Sequence, residues 1–106
     1  MDITEIDVEQ ALIHLQDGDA LFMDVRDPDS FAAGHLPGAV NVSDATIPQF
    51  LTDTDRDRKV IVYCYHGHMS MGGAAYLSEN DFDDVASMRG GFACWTGPTW
   101  LLKTST

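Results

Sequence analysis

Basic residues are scarce in this chain. Six Lys and Arg stand against seventeen Asp and Glu, for a formal net charge of −11 over 106 residues. Phosphate backbones are gripped by clusters of Lys and Arg, and none is present, which argues against a nucleic-acid partner. An anionic membrane surface is disfavoured on the same ground. Long apolar runs are also missing, so no segment reads as a bilayer span. The start, Met1-Asp2-Ile3-Thr4-Glu5, has neither a basic cluster nor an apolar core and does not read as a signal peptide. Cysteine is limited to Cys64 and Cys94. Two thiols without an export signal point to a reducing compartment, the cytoplasm, and to thiol chemistry more than to a disulfide scaffold. Spacing alone leaves a Cys64–Cys94 bridge open. The acids gather in turns such as Asp53–Asp57 and Asp81–Asp84. They suit a solvated surface, a salty or cold setting, or a basic partner.

The length and ordinary apolar content fit one compact domain over residues 1–106. Asp7 followed by Gln10 marks a helix start, with Val8, Ala11, Leu12 and Leu15 at helical spacing and Gly18 as the stop. Ala20–Val25 reads as a short buried strand. Asp27-Pro28 fits the cap and first position of a helix to about Ala33. Pro37-Gly38 is a turn, Ala39–Val42 a brief strand, and Thr46 to Thr52 a short helix carrying Ile47, Phe50 and Leu51. Asp53–Lys59 is a polar connection. Val60–Tyr63 is the clearest strand, continuous and β-branched like a parallel strand covered on both faces. Gly72–Asn80 brings Ala74, Ala75 and Leu77 to helical spacing, Val85–Met88 is a further strand, and Gly90–Trp95 opens a last helix. Strands alternating with helices predict an α/β fold, a three-layer sandwich around a mostly parallel sheet.

In such sheets the loops beyond the carboxyl ends of the strands hold the active site. Cys64, Arg26 and Arg89 each follow a predicted strand. Cys64 enters a loop of about six residues that runs into a helix near Ser70. Successive N–H groups and the helix terminus would both stabilise a thiolate there. Gly67 suits a tight curl needing positive φ. By itself this pattern fits a buried strand-end cysteine equally well.

Three separated blocks carry a resemblance. They are Asp24-Val25-Arg26 with Phe31-Ala32-Ala33-Gly34-His35-Leu36-Pro37-Gly38-Ala39, then Cys64-Tyr65-His66-Gly67, then Gly90-Gly91-Phe92-Ala93-Cys94-Trp95. Together, and in order, they resemble single-domain rhodaneses, most closely the GlpE-type thiosulfate sulfurtransferases, over nearly the whole chain. The resemblance implies a rhodanese-like fold and a ping-pong transfer through a persulfide on Cys64. Thiosulfate or another sulfane-sulfur donor would load Cys64; cyanide, a thiol or a thioredoxin-like protein would accept the sulfur. The N–H groups of Tyr65, His66, Gly67, His68, Met69 and Ser70 would cradle the anion, with no cofactor and no metal. Asp24, Gly34, His35 and Gly38 would shape the turn around the site. Phe92 and Trp95 would pack the last helix, and Cys94 would be a small buried residue.

The chain departs from that family in the loop, where Asn-Ser-Ser-Lys is usual and His68-Met69-Ser70-Met71 stands here. A hydroxyl and a cation are missing, which should weaken capture of a dianion. Arg89, where relatives often carry an acid, is the expected replacement, with Arg26 beside it and His66 and His68 partly protonated; the alternative is that Arg89 merely pairs with a surface Asp. A persulfide carrier in a protein relay and a non-catalytic interaction module are the other rhodanese-fold readings. A cysteine phosphatase would need Arg at position 70, which is Ser70. Metal binding by Cys64, His66 and His68 would lack a fourth ligand.

Overall fold

The computed structural model describes residues 3–99. Five strands form one sheet in the order β1-β5-β4-β2-β3, every pair parallel. They are β1 (Glu5–Ile6), β2 (Leu21–Asp24), β3 (Val40–Asn41), β4 (Val60–Tyr63) and β5 (Val85–Met88). β4 is central and buried along its whole length, as its continuous β-branched run requires. Because side chains alternate across a strand, β4 feeds two cores. Val60 and Val62 meet Ala74, Leu77, Phe50 and Phe82 on one face. Ile61 and Tyr63 meet Ala11, Phe22, Leu36 and Met88 on the other. Helices thus cover both faces, and the three-layer α/β architecture follows.

α1 (Val8–Asp17) opens with the reciprocal Asp7–Gln10 capping box and closes at Gly18 with φ 69°. α2 (Pro28–Ala33) is capped by Asp27, whose side chain accepts from the Ser30 N–H. α3 spans Ile47–Asp53. α4 spans Met69–Glu79, beginning within one residue of the start expected near Ser70 and ahead of the Gly72–Asn80 stretch that carries the helical spacing. Gly72 and Gly73 look like helix breakers in sequence. A Cβ on Gly73 would lie 3.1 Å from Val62 Cγ1, so this residue lets the helix press onto β4. β1, unforeseen in sequence, is a two-residue edge strand held by pairing with β5.

The last expected helix is corrected. Gly90 and Gly91 have φ of 85° and 63°, and only a single 3₁₀ turn, η1 (Phe92–Cys94), follows before Trp95 becomes extended. Gly97 and Pro98 lie just beyond, poor continuations for any helix. Cys94 on this turn is exposed, not buried as expected, and both cysteines are free thiols.

Candidate active site

Parallel strands place their carboxyl ends on one rim, and Cys64 leaves β4 there. Its residue is 3 % exposed. The chain then curls so that the Gly67 N–H donates to Cys64 Sγ at 3.1 Å and the Ser70 N–H at 3.3 Å. Cys64 Sγ and Ser70 Oγ lie 3.5 Å apart, within hydrogen-bond reach for sulfur. Ser70 sits in the first turn of α4, so the positive end of that helix also faces the sulfur. Burial pushes the Cys64 thiol up. The hydrogen bonds from the Ser70 side chain and from the N–H groups of Ser70, Gly67 and Met69 outweigh it, and the thiol lies below its ordinary value.

The curl is fixed by contact with the segment after β5. Gly67 has φ 101°, and a Cβ there would lie 3.1 Å from Gly90 N and 3.5 Å from Met88 O. Gly91 is tighter still: its Cβ would fall 2.5 Å from Tyr65 O and 2.6 Å from Cys64 O. That close approach lets the Phe92 and Ala93 N–H groups donate to the Cys64 and Tyr65 carbonyls, each at 2.8 Å. The Gly90-Gly91-aromatic block therefore clamps the first two residues of the loop.

A second support lies at the end of β2. Asp24, fully buried, accepts from Arg26 Nη2 at 2.7 Å, from Nε at 3.0 and 3.1 Å, and from its backbone N–H at 2.8 Å. Arg26 Nη2 also donates to Gly34 O at 2.7 Å, and its guanidinium stacks 4.2 Å from the centre of the Phe92 ring. Tyr63 OH accepts from the Leu36 N–H at 3.1 Å; burial, then the nearby Asp24 charge, push that phenol far up, so it stays neutral. His35 stacks on Phe31 and bonds its carbonyl through Nδ1 at 2.8 Å. These residues shape the turn, as expected of Asp24, Gly34 and His35. Arg26 does not supply free positive charge to the loop: its cation is spent on a buried carboxylate.

Of the six cradle residues, Gly67 and Ser70 donate directly to Sγ, with a lesser contribution from the Met69 N–H. The side chains of Tyr65, His66, His68 and Met69 form an exposed rim, Tyr65 at 52 % and Met69 at 66 %. Tyr65 lines a groove of about 490 Å³ with Arg26, Phe92 and Trp95. Met69 lines another of about 650 Å³ with Val25, Asp44, Ile47 and Tyr76. Arg89 follows β5, its backbone against Gly67 and its side chain exposed. Among the described residues no carboxylate pairs with it. Among those residues, too, no three His, Cys, Asp or Glu converge as a metal site, Cys64, His66 and His68 included.

Sequence reasoning enlisted only the backbone of Ser70 and passed over Ser87. Both are fully buried, with their hydroxyl oxygens 2.8 Å apart. A polar residue inside the strand Val85-Ala86-Ser87-Met88 was the one available signal.

The sequence matches the rhodanese-like domain family over residues 7–97. It is 43% identical to a protein named thiosulfate sulfurtransferase GlpE from Pseudoalteromonas translucida, over 95 residues that make up 90% of each chain. The solved rhodanese-like domain of the Anabaena protein Alr3790 superposes with a TM-score of 0.83 at 23% identity, covering 100% of this chain and 85% of that one. A rhodanese-related protein of Thermoplasma volcanium does so with a TM-score of 0.80 at 21% identity, covering 94% and 99%.

Proposed function

The chain belongs to the rhodanese-like domain family, and on that premise we propose that it moves a sulfane sulfur from thiosulfate to a thiophilic acceptor through a persulfide on Cys64. It is a sulfurtransferase. The Cys64 thiolate attacks the outer sulfur of thiosulfate; the S–S bond of the donor breaks, and sulfite leaves with the electron pair. An acceptor, cyanide in an assay or a thiol or thioredoxin-like protein in the cytoplasm, then attacks the outer sulfur of the persulfide. A new bond to the acceptor forms and the Cys64 thiolate leaves. The observation that carries this reading is the Cys64 sulfur held by the Gly67 and Ser70 N–H groups at the α4 terminus. It stabilises the attacking thiolate and the leaving thiolate alike, and no general base is needed. The outer sulfur of the persulfide would lie among the remaining N–H groups of residues 65–69, with the chain acting as one rhodanese domain.

Intact-mass analysis after thiosulfate treatment tests it. Wild type should gain one sulfur atom and Cys64→Ser none; an unmodified wild type would sink the thiosulfate reaction. A second reading, a persulfide carrier loaded by a protein, is favoured by one observation. Arg26 is neutralised by Asp24, which leaves Arg89, among the described residues, as the free guanidinium near the site for a dianion. An adduct formed with a persulfide donor but not with thiosulfate would select that reading. No adduct with either would favour a non-catalytic module.

A further inference from the structure

Ser87 is a fully buried polar residue in the second half of the parallel strand β5. Its position is fixed from both sides, in register with Glu5 of β1 and Val62 of β4, and its backbone N–H donates to Thr4 O at 2.9 Å. Its hydroxyl meets Ser70 Oγ at 2.8 Å, and Ser70 Oγ stands 3.5 Å from Cys64 Sγ. Ser70 and Ser87 are fully buried, so water does not compete for these bonds. Among the described residues no buried side-chain nitrogen or oxygen is without a partner.

The order of the three groups decides which way the protons point. When Cys64 is a thiolate, Ser87 donates to Ser70 and Ser70 donates to sulfur, and both hydroxyl protons are used. When a Cys64 thiol donates to Ser70, the Ser70 proton no longer points at sulfur, and the side-chain acceptor within its reach is Ser87. The Ser87 proton then has no other side-chain acceptor among the described residues. An unmade bond in a buried setting is unfavourable. If the thiol proton points elsewhere instead, Ser70 donates to a neutral sulfur, a weak acceptor. Either arrangement leaves the line better satisfied with the anion, and charge-assisted bonds are the stronger ones.

We propose that Ser87 is a positioning residue for the sulfur chemistry: it holds the Ser70 hydroxyl as a donor aimed at Cys64 Sγ, stabilising the thiolate in the resting protein and again as it leaves. The first half stands on geometry alone, and the second rests on the sulfur-transfer reading above. In the persulfide the negative charge moves to the outer sulfur, so the Ser70–Sγ bond weakens when the residue is loaded. It strengthens again as the acceptor takes the sulfur away. Such a bond acts on the transition state of discharge more than on the loaded ground state.

Titratable groups near Cys64 are Tyr65, His66 and His68 on its own loop, Arg89 at the end of β5, and Tyr63 with the Asp24–Arg26 pair beside the end of β4. All of them stay unchanged in the test, which uses Cys94→Ser as background so that one thiol remains. The pH dependence of Cys64 alkylation by iodoacetamide, followed by mass, needs no sulfur donor. It therefore reads out even if thiosulfate proves not to be a substrate. Ser87→Ala is expected to move the alkylation midpoint upward and to slow the reaction at neutral pH about threefold to tenfold, the loss of a fraction of one charge-assisted hydrogen bond. The same substitution on a Ser70→Ala background should add nothing, because its effect runs through Ser70. Ser87→Thr should restore the wild-type midpoint. Should Ser87→Ala fail to fold, Ser87→Val, which matches Ser87→Thr in shape but lacks the hydroxyl, should give the same upward shift. An unchanged midpoint, or a shift of equal size on both backgrounds, overturns the proposal. So does a lowered melting temperature with no shift.

Discussion

At the residue scale, Cys64 combines two opposed effects, burial that penalises its anion and hydrogen bonds that reward it. The bonds win, and the outcome links thiolate chemistry to folding. A group whose folded value is lowered adds stability that is complete above its unfolded value, near 9.0, and lost as pH falls through the lowered folded value. The melting temperature of wild type relative to Cys64→Ser should therefore be highest in mild alkali and decline towards acid. A difference independent of pH would contradict the cradle. Arg89 is the other residue with a direct test. Its backbone adjoins Gly67 and its exposed guanidinium has no carboxylate partner among the described residues. Arg89→Ala should raise the thiosulfate KM several-fold with little change in kcat, since a distant point charge assists capture more than chemistry. Unchanged kinetics would remove Arg89 from the site. Asp24 carries no such role but more stability. Truncating it to Ala leaves Arg26 buried and unpaired, and unfolding studies should show a loss of about 3–5 kcal/mol.

At the element scale, the site is a loop held between the terminus of α4 and the turn after β5. Gly91 is where the two meet. A methyl group there would collide with two backbone carbonyls, and its φ of 63° is already unfavourable for other residues. Gly91→Ala should cost about 1–3 kcal/mol and slow sulfur loading, read from thermal melts and single-turnover mass analysis. A stable variant loading at wild-type speed would show that the clamp is dispensable. The same junction explains what was legible in sequence. Caps and stops such as Asp7, Gly18, Asp27 and Pro28 act within a few residues, so their helices stand where expected. Val60–Tyr63 announces a central strand by its own composition. Gly73 sits inside α4 because it answers to β4 across the interface rather than to helix propensity. β1 is too short to carry a pattern and exists through β5. Cys94 was expected inside because cysteine usually is, but a single 3₁₀ turn leaves it on the surface. Cys64 stands out in sequence as the residue ending a strand, and the resemblance singles it out as the proposed nucleophile. The hydroxyl beneath it, on Ser87, depends on a register that no local pattern encodes.

At the scale of the whole molecule, a net charge of −11 surrounds a site meant for an anion. The field far from the loop repels thiosulfate, and salt screens it over a Debye length of about 8–10 Å. The thiosulfate kcat/KM should therefore rise as ionic strength increases from very low to physiological values. A fall would mean that local attraction from Arg89 dominates the approach. Depth matters as well as charge. Cys64 lies almost flush with the protein interior, so its bare sulfur admits a small, narrow donor and turns away a bulky one. In the proposed persulfide the transferable sulfur lies one S–S bond, about 2 Å, beyond the buried Cys64 Sγ. In the proposed cycle the two half-reactions thus meet different obstacles: filling is limited by the depth of Cys64, emptying by access to a sulfur one bond nearer the surface.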